Sequence, residues 1–154
     1  MSESWRTVRV AASEGISVDA ADNLRVHTQW TEAEDRHDLS NHEAFVHEDI
    51  EVRTIGTEPT RGIEAYRASL HAMYAGIPDF RVVLDDQFAT DDRVVCRWRA
   101  TGTHDGDLFG VPASGRHIEY SGVSVWEFDH GKARRGWIFS DVPLLLNQLG
   151  RGAP

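Results

Sequence analysis

The fold is organised around residues 101–150, which run TGTHDGDLFGVPASGRHIEYSGVSVWEFDHGKARRGWIFSDVPLLLNQLG. Residues 118–128 alternate between two sets of side chains, the period of two that a β-strand requires, and one set is rich in aromatic and small residues. The turn Asp129-His130-Gly131-Lys132 contains a glycine that is free to take a positive φ, so the chain can reverse into a second strand, Ala133 to Ser140. A leucine-rich run closed by Gly150 follows. This stretch therefore predicts a β-hairpin and a short C-terminal helix.

Composition and charge narrow the class of protein. A chain of 154 residues with 40% hydrophobic and 27% charged residues fits one domain, which we expect over residues 19–150 after an N-terminal arm of residues 1–18. No apolar run approaches the roughly 20 residues that span a bilayer, and the N-terminus lacks the pattern of a secretory signal. We therefore expect a cytoplasmic protein without a membrane partner. A net charge of −9 argues against nucleic acid as a partner.

The first half of the chain predicts helices. Residues Val18 to Asp35 have helical periodicity, and the side that carries His27, Trp30 and Glu34 is less apolar than a core helix usually is, so it could line a cavity. Ser40 and Glu43 match the SxxE capping box, which predicts a short helix to about His47. The remaining predicted elements are a strand Asp49–Ile55, a loop Gly56–Arg61, a helix Ile63–Ala75, and strands Phe80–Phe88 and Arg93–Thr103.

Helices followed by strands joined mostly by hairpins predict the α+β class. We expect a cone-shaped, curved mixed β-sheet, mainly antiparallel, packed against about three N-terminal helices, with a short C-terminal helix. Such a sheet, curled around its helices, encloses an apolar pocket.

Several segments resemble one family when they are taken together and in order. They are IPDFRVVL at 77–84, GTHDGDLFGVPASGRHIEYSG at 102–122, the HGK turn at 130–132 and the ending from Asp141 to QLG at 148–150. The chain resembles the SnoaL-like polyketide cyclases and ester cyclases of the nuclear-transport-factor-2-like superfamily. The resemblance implies a homodimer that uses no metal or organic cofactor and binds a small hydrophobic molecule in the cone.

The resemblance also implies two alternative functions. One is an enzyme that acts on an apolar, possibly polyketide-derived substrate by acid–base chemistry such as cyclisation or isomerisation. The other is a non-catalytic ligand-binding or dimerisation module with the same fold. The acid–base dyad of the family's cyclases corresponds to Ser124 and Ile138 here, and neither side chain can act as an acid or a base.

Two residues outside the dyad are candidates for catalysis. His104 shares strand parity with Trp98 and could act at the mouth of the cone, or it could be a loop histidine bonded to backbone. Asp141 ends the sixth strand and could point into the cavity, but Asp141-Val142-Pro143 is also the pattern of a helix N-cap. On the first helix, His27 and Glu34 are further possible inward groups.

We expect Trp30, Trp98, Tyr120, Ser124, Trp126 and Ile138 to line the pocket, although the aromatic residues among them could equally be ordinary core. No metal site is expected, because His37, His42 and His47 are spaced five apart and do not share one helical face. The single cysteine, Cys96, lies in an apolar strand pattern and is interpreted as a buried core residue.

Overall fold

Three α-helices and six β-strands follow one another along residues 18–150, the part of the chain that this computed structural model describes. The predicted N-terminal arm lies outside the described residues, apart from Val18, which begins the first helix. Within residues 18–150 no helix is both long and apolar enough to cross a bilayer. The elements are α1 (Val18–Asp35), β1 (Val46–Thr54), β2 (Thr60–Arg61), α2 (Ile63–Gly76), β3 (Arg81–Ala89), β4 (Arg93–Thr103), β5 (His117–Asp129), β6 (Lys132–Ser140) and α3 (Val142–Leu149).

The predicted hairpin joins β5 to β6. Asp129 pairs with Lys132 across the turn, and His130 and Gly131 both have positive φ angles, 48° and 76°. Two successive positive φ angles make a type I′ turn, whose twist matches that of the strands it connects. The imidazole of His130 lies 2.6 Å from the carboxylate of Asp129, a contact that helps a residue other than glycine hold this conformation.

The six strands form one sheet in the order β2-β1-β6-β5-β4-β3. All neighbours are antiparallel except β1 and β6, which run parallel, so the sheet is mixed. The register shifts between β1 and β6, between β3 and β4, and between β5 and β6. Because each irregularity bends a strand and increases its twist, these shifts help the sheet to curve. The fold is the predicted α+β arrangement.

The prediction for residues 40–47 was wrong. The structure has only a 3₁₀ helix, His42–Ala44, and its N-cap residue, Asn41, makes no side-chain capping bond. The hydroxyl of Ser40 bonds instead to the carboxylate of Asp38 at 2.6 Å, and Glu43 pairs with Arg67 of α2. Both side chains of the SxxE motif are therefore engaged elsewhere, and β1 begins at Val46.

The C-terminal helix has a signal at each end. The carboxylate of Asp141 accepts a hydrogen bond from the backbone N–H of Leu144 at 3.0 Å, and Pro143 lies in the first turn. Gly150 ends the helix with a φ of 99°, in the left-handed region. Asp141 therefore acts as the N-cap, one of the two roles that the sequence left open.

The helices cover one face of the curved sheet. Helix α1 packs against β3 and β4, α2 against β1 and β2, and α3 against β5. The buried side chains form two clusters: one includes Trp30, Tyr66 and Trp126, and the other includes Tyr120 and Leu145. The partly buried indole of Trp98 packs against both clusters. The aromatic residues therefore line the space between helices and sheet.

Two of these indole rings each lie over a glycine on a neighbouring strand. Trp126 of β5 is paired with Gly136 of β6, where an added Cβ atom would lie 2.1 Å from Cζ3 of the ring. Trp98 of β4 is paired with Gly122 of β5, where a Cβ would lie 2.5 Å from Cζ2. Because no real Cβ contact is that short, the bare backbone at both positions allows the rings to lie flat along the sheet.

Candidate functional site

A cavity of about 940 Å³ lies between the helices and the sheet. This volume is at the upper end of the range of about 300 to 1,000 Å³ that is typical of small-molecule sites. Because a cavity of this volume is present, the cone is open rather than plugged by tryptophan rings. Its wall is mostly apolar but includes ionisable side chains. The lining includes all six residues predicted for it: Trp30, Trp98, Tyr120, Ser124, Trp126 and Ile138.

One stripe of helix α1 forms a wall of the cavity. His27, Trp30, Thr31 and Glu34 all line it, and their spacing of three and four residues places them on one helical face. The inner side of this helix is only weakly apolar because it faces the cavity and mixes polar with aromatic residues. Glu34 is the ionisable end of the stripe, and its side chain is 20% exposed.

One carboxylate oxygen of Glu34 is the centre of a hydrogen-bond cluster. Oε1 lies 2.6 Å from Nε1 of Trp30, 2.8 Å from Nε2 of His42 and 3.0 Å from the hydroxyl of Tyr66. The second oxygen, Oε2, makes no hydrogen bond to any described residue. Three contacts thus hold the carboxylate in one orientation and leave one oxygen available to a molecule in the cavity.

His42 contacts this carboxylate from a buried position. Its side chain is only 1% exposed, its ring stacks on Tyr66 with centroids 5.3 Å apart, and its Nδ1 is buried without a partner. We assign a proton to Nε2 of His42, which donates to Glu34, because the carboxylate oxygen 2.8 Å away can only accept. His42 is therefore a fixed donor that orients Glu34.

Tyr66 completes the cluster as the third donor to Oε1. Burial raises the pKa of Tyr66 well above its ordinary value, and the negative charge of Glu34 acts in the same direction. The phenol therefore remains protonated and keeps donating to the carboxylate.

A second series of hydrogen-bonded side chains also begins on α1. Nε2 of Gln87 donates to Oγ1 of Thr28 at 2.7 Å, and this hydroxyl donates to the carbonyl of Leu24 at 2.9 Å. Oε1 of Gln87 therefore faces Nδ1 of His27, 2.9 Å away, and accepts a hydrogen bond from its N–H. Nε2 of His27 is left as an acceptor 3.7 Å from Sγ of Cys96. This series of hydrogen bonds therefore assigns the proton of His27, which lines the cavity, to Nδ1.

Burial sets the protonation of both groups in this pair. It lowers the pKa of His27, and the hydrogen bond to Gln87 and the charge of Glu34 oppose that shift. Burial also raises the pKa of Cys96 to about 11. The imidazole is therefore neutral and the thiol protonated near neutral pH, so Cys96 is not an activated nucleophile.

The positions that correspond to the cyclase dyad lie together and face the cavity. Ser124 of β5 is the direct cross-strand partner of Ile138 of β6, and both line the cavity. The hydroxyl of Ser124 accepts a hydrogen bond from Nε1 of Trp98 at 2.8 Å. This wall therefore provides a hydroxyl and an aliphatic side chain in place of an acid and a base.

Neither of the two residues predicted to be catalytic lines this cavity. The imidazole of His104 is fully buried and bonded to the hydroxyl of Ser114 at 2.8 Å, while its backbone pairs with Arg116. Asp141 lies between two cavity-lining neighbours, Ser140 and Val142, and its carboxylate caps α3 instead. Strand parity continued across the end of β4 is what misplaced His104, since the chain turns into the loop after Thr103.

The charge on the cavity wall is negative. Glu34, Asp35, Glu58 and Asp107 line it, and none of its described lining residues is Lys or Arg. Asp35 is paired with Arg81, whose side chain is mostly exposed outside the cavity. An anionic ligand would therefore meet repulsion without a compensating cation, whereas a neutral or cationic one would not.

Sequence reasoning identified part of the site. It named Glu34 and His27 as possible inward groups, considered His42 only as a metal ligand and gave Tyr66 no role in the site. The signal for Glu34 was the polar stripe of α1. The approach of His42 and Tyr66 to the same oxygen depends on how a 3₁₀ helix and α2 pack against α1, which no local pattern reports.

Comparisons with solved structures find the same overall fold. A SnoaL-like polyketide cyclase candidate from Jannaschia sp. CCS1 has a TM-score of 0.83 at 19% identity, over 91% of this chain and 99% of that chain, and shows the shared fold. TsrD from Streptomyces laurentii has a TM-score of 0.76 at 25% identity, over 87% and 98%. IdmH, a candidate polyketide cyclase from Streptomyces antibioticus, has a TM-score of 0.73 at 26% identity, over 83% and 98%.

The search of curated proteins found no match. A family model, SnoaL-like polyketide cyclase, matches residues 24–149, a range that includes every described residue lining the cavity. The match covers most of the chain and both walls of the cavity. The chain therefore belongs to the SnoaL-like polyketide cyclase family.

Proposed function

We propose that the protein is a cofactor-independent enzyme that cyclises or isomerises a neutral, apolar small molecule, with Glu34 as its general base. The observation that carries the proposal is the carboxylate of Glu34, oriented by three donors at Oε1 and unpartnered at Oε2, on the wall of a 940 Å³ cavity. Family membership supports a cyclase-type role, and the polyketide-derived nature of the substrate is part of this proposal.

The chemistry that we propose needs no added group. Oε2 of Glu34 removes a proton from a carbon next to a carbonyl group, and the electron pair of the broken C–H bond forms an enolate. The enolate carbon then bonds to a second carbonyl carbon of the same molecule, whose oxygen becomes an alkoxide. The protonated Glu34 returns the proton to that oxygen, so substrate and product are isomers and the carboxylate is regenerated.

The acidic wall defines the substrate class further. Because carboxylates line the cavity without a described lysine or arginine, we propose that the substrate carries no free carboxylate or phosphate. The size of the cavity and the indole rings of Trp30, Trp98 and Trp126 suit a flat polycyclic molecule.

Proton abstraction can be tested without the natural substrate. We would incubate 2-tetralone, a neutral bicyclic ketone, with the protein in D₂O and follow deuterium incorporation next to the carbonyl by NMR. The wild type should accelerate exchange above the buffer rate, and Glu34→Gln should reduce it to that rate. Glu32→Gln, the same change at an exposed position of α1, is the matched control and should leave exchange unchanged.

The alternative function is a non-catalytic ligand-binding module, and the specific observation that favours it is the pair Ser124 and Ile138 at the dyad positions. Binding of 2-tetralone to the wild type without accelerated exchange would support this alternative and refute a catalytic role for Glu34. Exchange that persists fully in Glu34→Gln would refute Glu34 as the base but leave an enzyme.

We propose further that the partner of the protein is a second copy of itself, bound through the outer face of the sheet. This face exposes Val83, Val123 and Phe139 around Asp85, whose carboxylate is neutralised by Arg97 and Arg99. An apolar patch with a charge-paired centre suits a symmetric interface. Sedimentation should give a dimer for the wild type and a monomer for Phe139→Glu, and a monomeric wild type would refute this assembly.

A further inference from the structure

Tyr120 has a hydroxyl group that the protein itself does not use. The residue lies on the inner face of β5, two and four positions before Gly122 and Ser124, and it lines the cavity. Its side chain is nearly buried, at 8% exposure, and its ring meets that of Trp98 edge to face with centroids 5.7 Å apart. The hydroxyl makes no hydrogen bond to any residue in the described part of the chain.

The other two described tyrosines differ in this respect. The hydroxyl of Tyr66 donates to Oε1 of Glu34 at 3.0 Å, and that of Tyr74 donates to the backbone carbonyl of Glu34 at 2.9 Å. All three tyrosines line the cavity, yet only Tyr120 lacks an acceptor among residues 18–150. The hydroxyl of Tyr120 is not among the fully buried unpaired polar atoms of the described residues, so it is accessible from the cavity and can donate to an oxygen atom of a ligand there.

Tyr120 also belongs to a different core cluster from Trp30 and Tyr66, two of the donors to Glu34. Tyr120 belongs to the core cluster that contains Leu108 and Leu145, whereas Trp30 and Tyr66 belong to the other cluster. The indole of Trp98 packs against both. Tyr120 and the donors Trp30 and Tyr66 are therefore parts of the cavity wall that belong to different core clusters.

Burial keeps this hydroxyl a donor. It raises the pKa of Tyr120 above its ordinary value, so the phenol is protonated throughout the neutral range. A protonated phenol donates to a carbonyl or hydroxyl oxygen, and in an acidic cavity without described lysine or arginine the acceptor that fits is a neutral one.

We propose that Tyr120 is a specificity-determining residue whose hydroxyl donates a hydrogen bond to a neutral carbonyl or hydroxyl oxygen of the ligand, where the ligand meets β5. This inference rests on the proposed function only in requiring that the cavity binds an apolar molecule. It selects a ligand that is apolar along its length and carries an oxygen atom where it meets β5.

A pair of probes that differ in one oxygen atom tests the proposal. 9-Fluorenone and fluorene are neutral tricyclic molecules of similar size, and only fluorenone has a carbonyl acceptor. Their affinities for the wild type, Tyr120→Phe and Tyr74→Phe would be measured by equilibrium dialysis. Tyr74→Phe is the matched control, because it deletes a hydroxyl that already has a partner within the protein.

The wild type should prefer fluorenone over fluorene, and Tyr120→Phe should reduce this preference by about 3- to 10-fold, the worth of one neutral hydrogen bond. Tyr74→Phe should retain it. Fluorene should bind all three proteins alike, and Tyr120→Phe should melt close to the wild-type temperature, since the hydroxyl that it removes makes no hydrogen bond to a described residue.

An unchanged preference in Tyr120→Phe, or a loss of equal size in Tyr74→Phe, would overturn the proposal. Either result would leave the proposed function standing if fluorene still binds, because an apolar ligand cavity would have been demonstrated. Failure of the wild type to bind either probe would overturn both, since no apolar tricyclic ligand would then enter the cavity.

Discussion

Removing the carboxylate of Glu34 should separate its structural role from its catalytic one. In Glu34→Leu, the hydroxyl of Tyr66 loses its acceptor, and Trp30 and His42 lose the oxygen they share. Nε1 of Trp30 lies 3.0 Å from Nε2 of His42, so these two can pair with each other. That pairing requires the proton of His42 to move to Nδ1, which is buried without a partner.

The expected cost follows from these contacts. Two buried donors, the Tyr66 hydroxyl and one imidazole N–H, remain unsatisfied at about 1–3 kcal/mol each. Burying leucine in place of a carboxylate offsets part of this cost. We expect a net loss of about 2–4 kcal/mol in the free energy of unfolding. For a domain of this size, such a loss lowers Tm by about 5–15 °C.

Glu34→Gln should behave differently. The amide oxygen accepts the same three hydrogen bonds while the NH₂ group takes the place of Oε2 on the cavity side. Neutral acceptors are weaker than charged ones, so we expect a loss of about 1 kcal/mol or less. Exchange of 2-tetralone should be lost in both variants, because neither has a base at this position.

Thermal melts followed by circular dichroism, together with urea titrations, would measure both variants. The reasoning is refuted if Glu34→Leu is as stable as the wild type, since Oε1 would then not be the acceptor that satisfies Tyr66 and His42. Equal destabilisation by Gln and Leu would also contradict it, because shape rather than hydrogen bonding would then explain the loss.

Three further predictions concern stability. Gly136→Ala should lower the free energy of unfolding by about 1–3 kcal/mol in urea titrations, because the added Cβ would overlap the ring of Trp126. The loss should be smaller in a Trp126→Leu background, and a loss of the same size there would rule out this clash. Asp141→Ala should cost about 1 kcal/mol through loss of the cap on Leu144, and Asp141→Asn less, so equal Tm values for Ala and wild type would contradict the cap. Because of His27, the free energy of unfolding should fall as pH drops below the ordinary pKa of 6.5: the unfolded chain binds a proton there, whereas the buried imidazole of the folded protein, with its lowered pKa, binds it only at lower pH. The variant His27→Leu should show a smaller fall between pH 7.5 and 5.5. An identical fall in the variant would contradict the assignment.

The local patterns predicted most elements well, since helical and strand periodicities depend on neighbouring residues. The bounds of α1 and β4 agree with the prediction, and the type I′ turn at Gly131 and the αL cap at Gly150 lie where glycine was expected to act. The capping box at Ser40 was wrong because Arg67, distant in sequence, competes for Glu43.

The candidate site was less accessible to sequence reasoning. Strand parity placed Ser124 on the aromatic face of its strand, the family resemblance pointed to Ile138, and helical spacing placed Glu34 with His27. By contrast, parity failed for His104, which lies beyond the end of β4. The unpaired hydroxyl of Tyr120 is a property of everything that surrounds it, and no motif marks it.

The amino-acid sequence by itself determined the elements, the α+β class and the inward-facing positions, because these follow from periodicity and turn chemistry within a few residues. Only the tertiary structure decided which polar groups meet. His42 and Tyr66 reach one oxygen of Glu34 from segments 8 and 32 residues away. Hydrogen bonds between distant segments depend on how helices pack on a curved sheet, and that packing is a property of the whole chain.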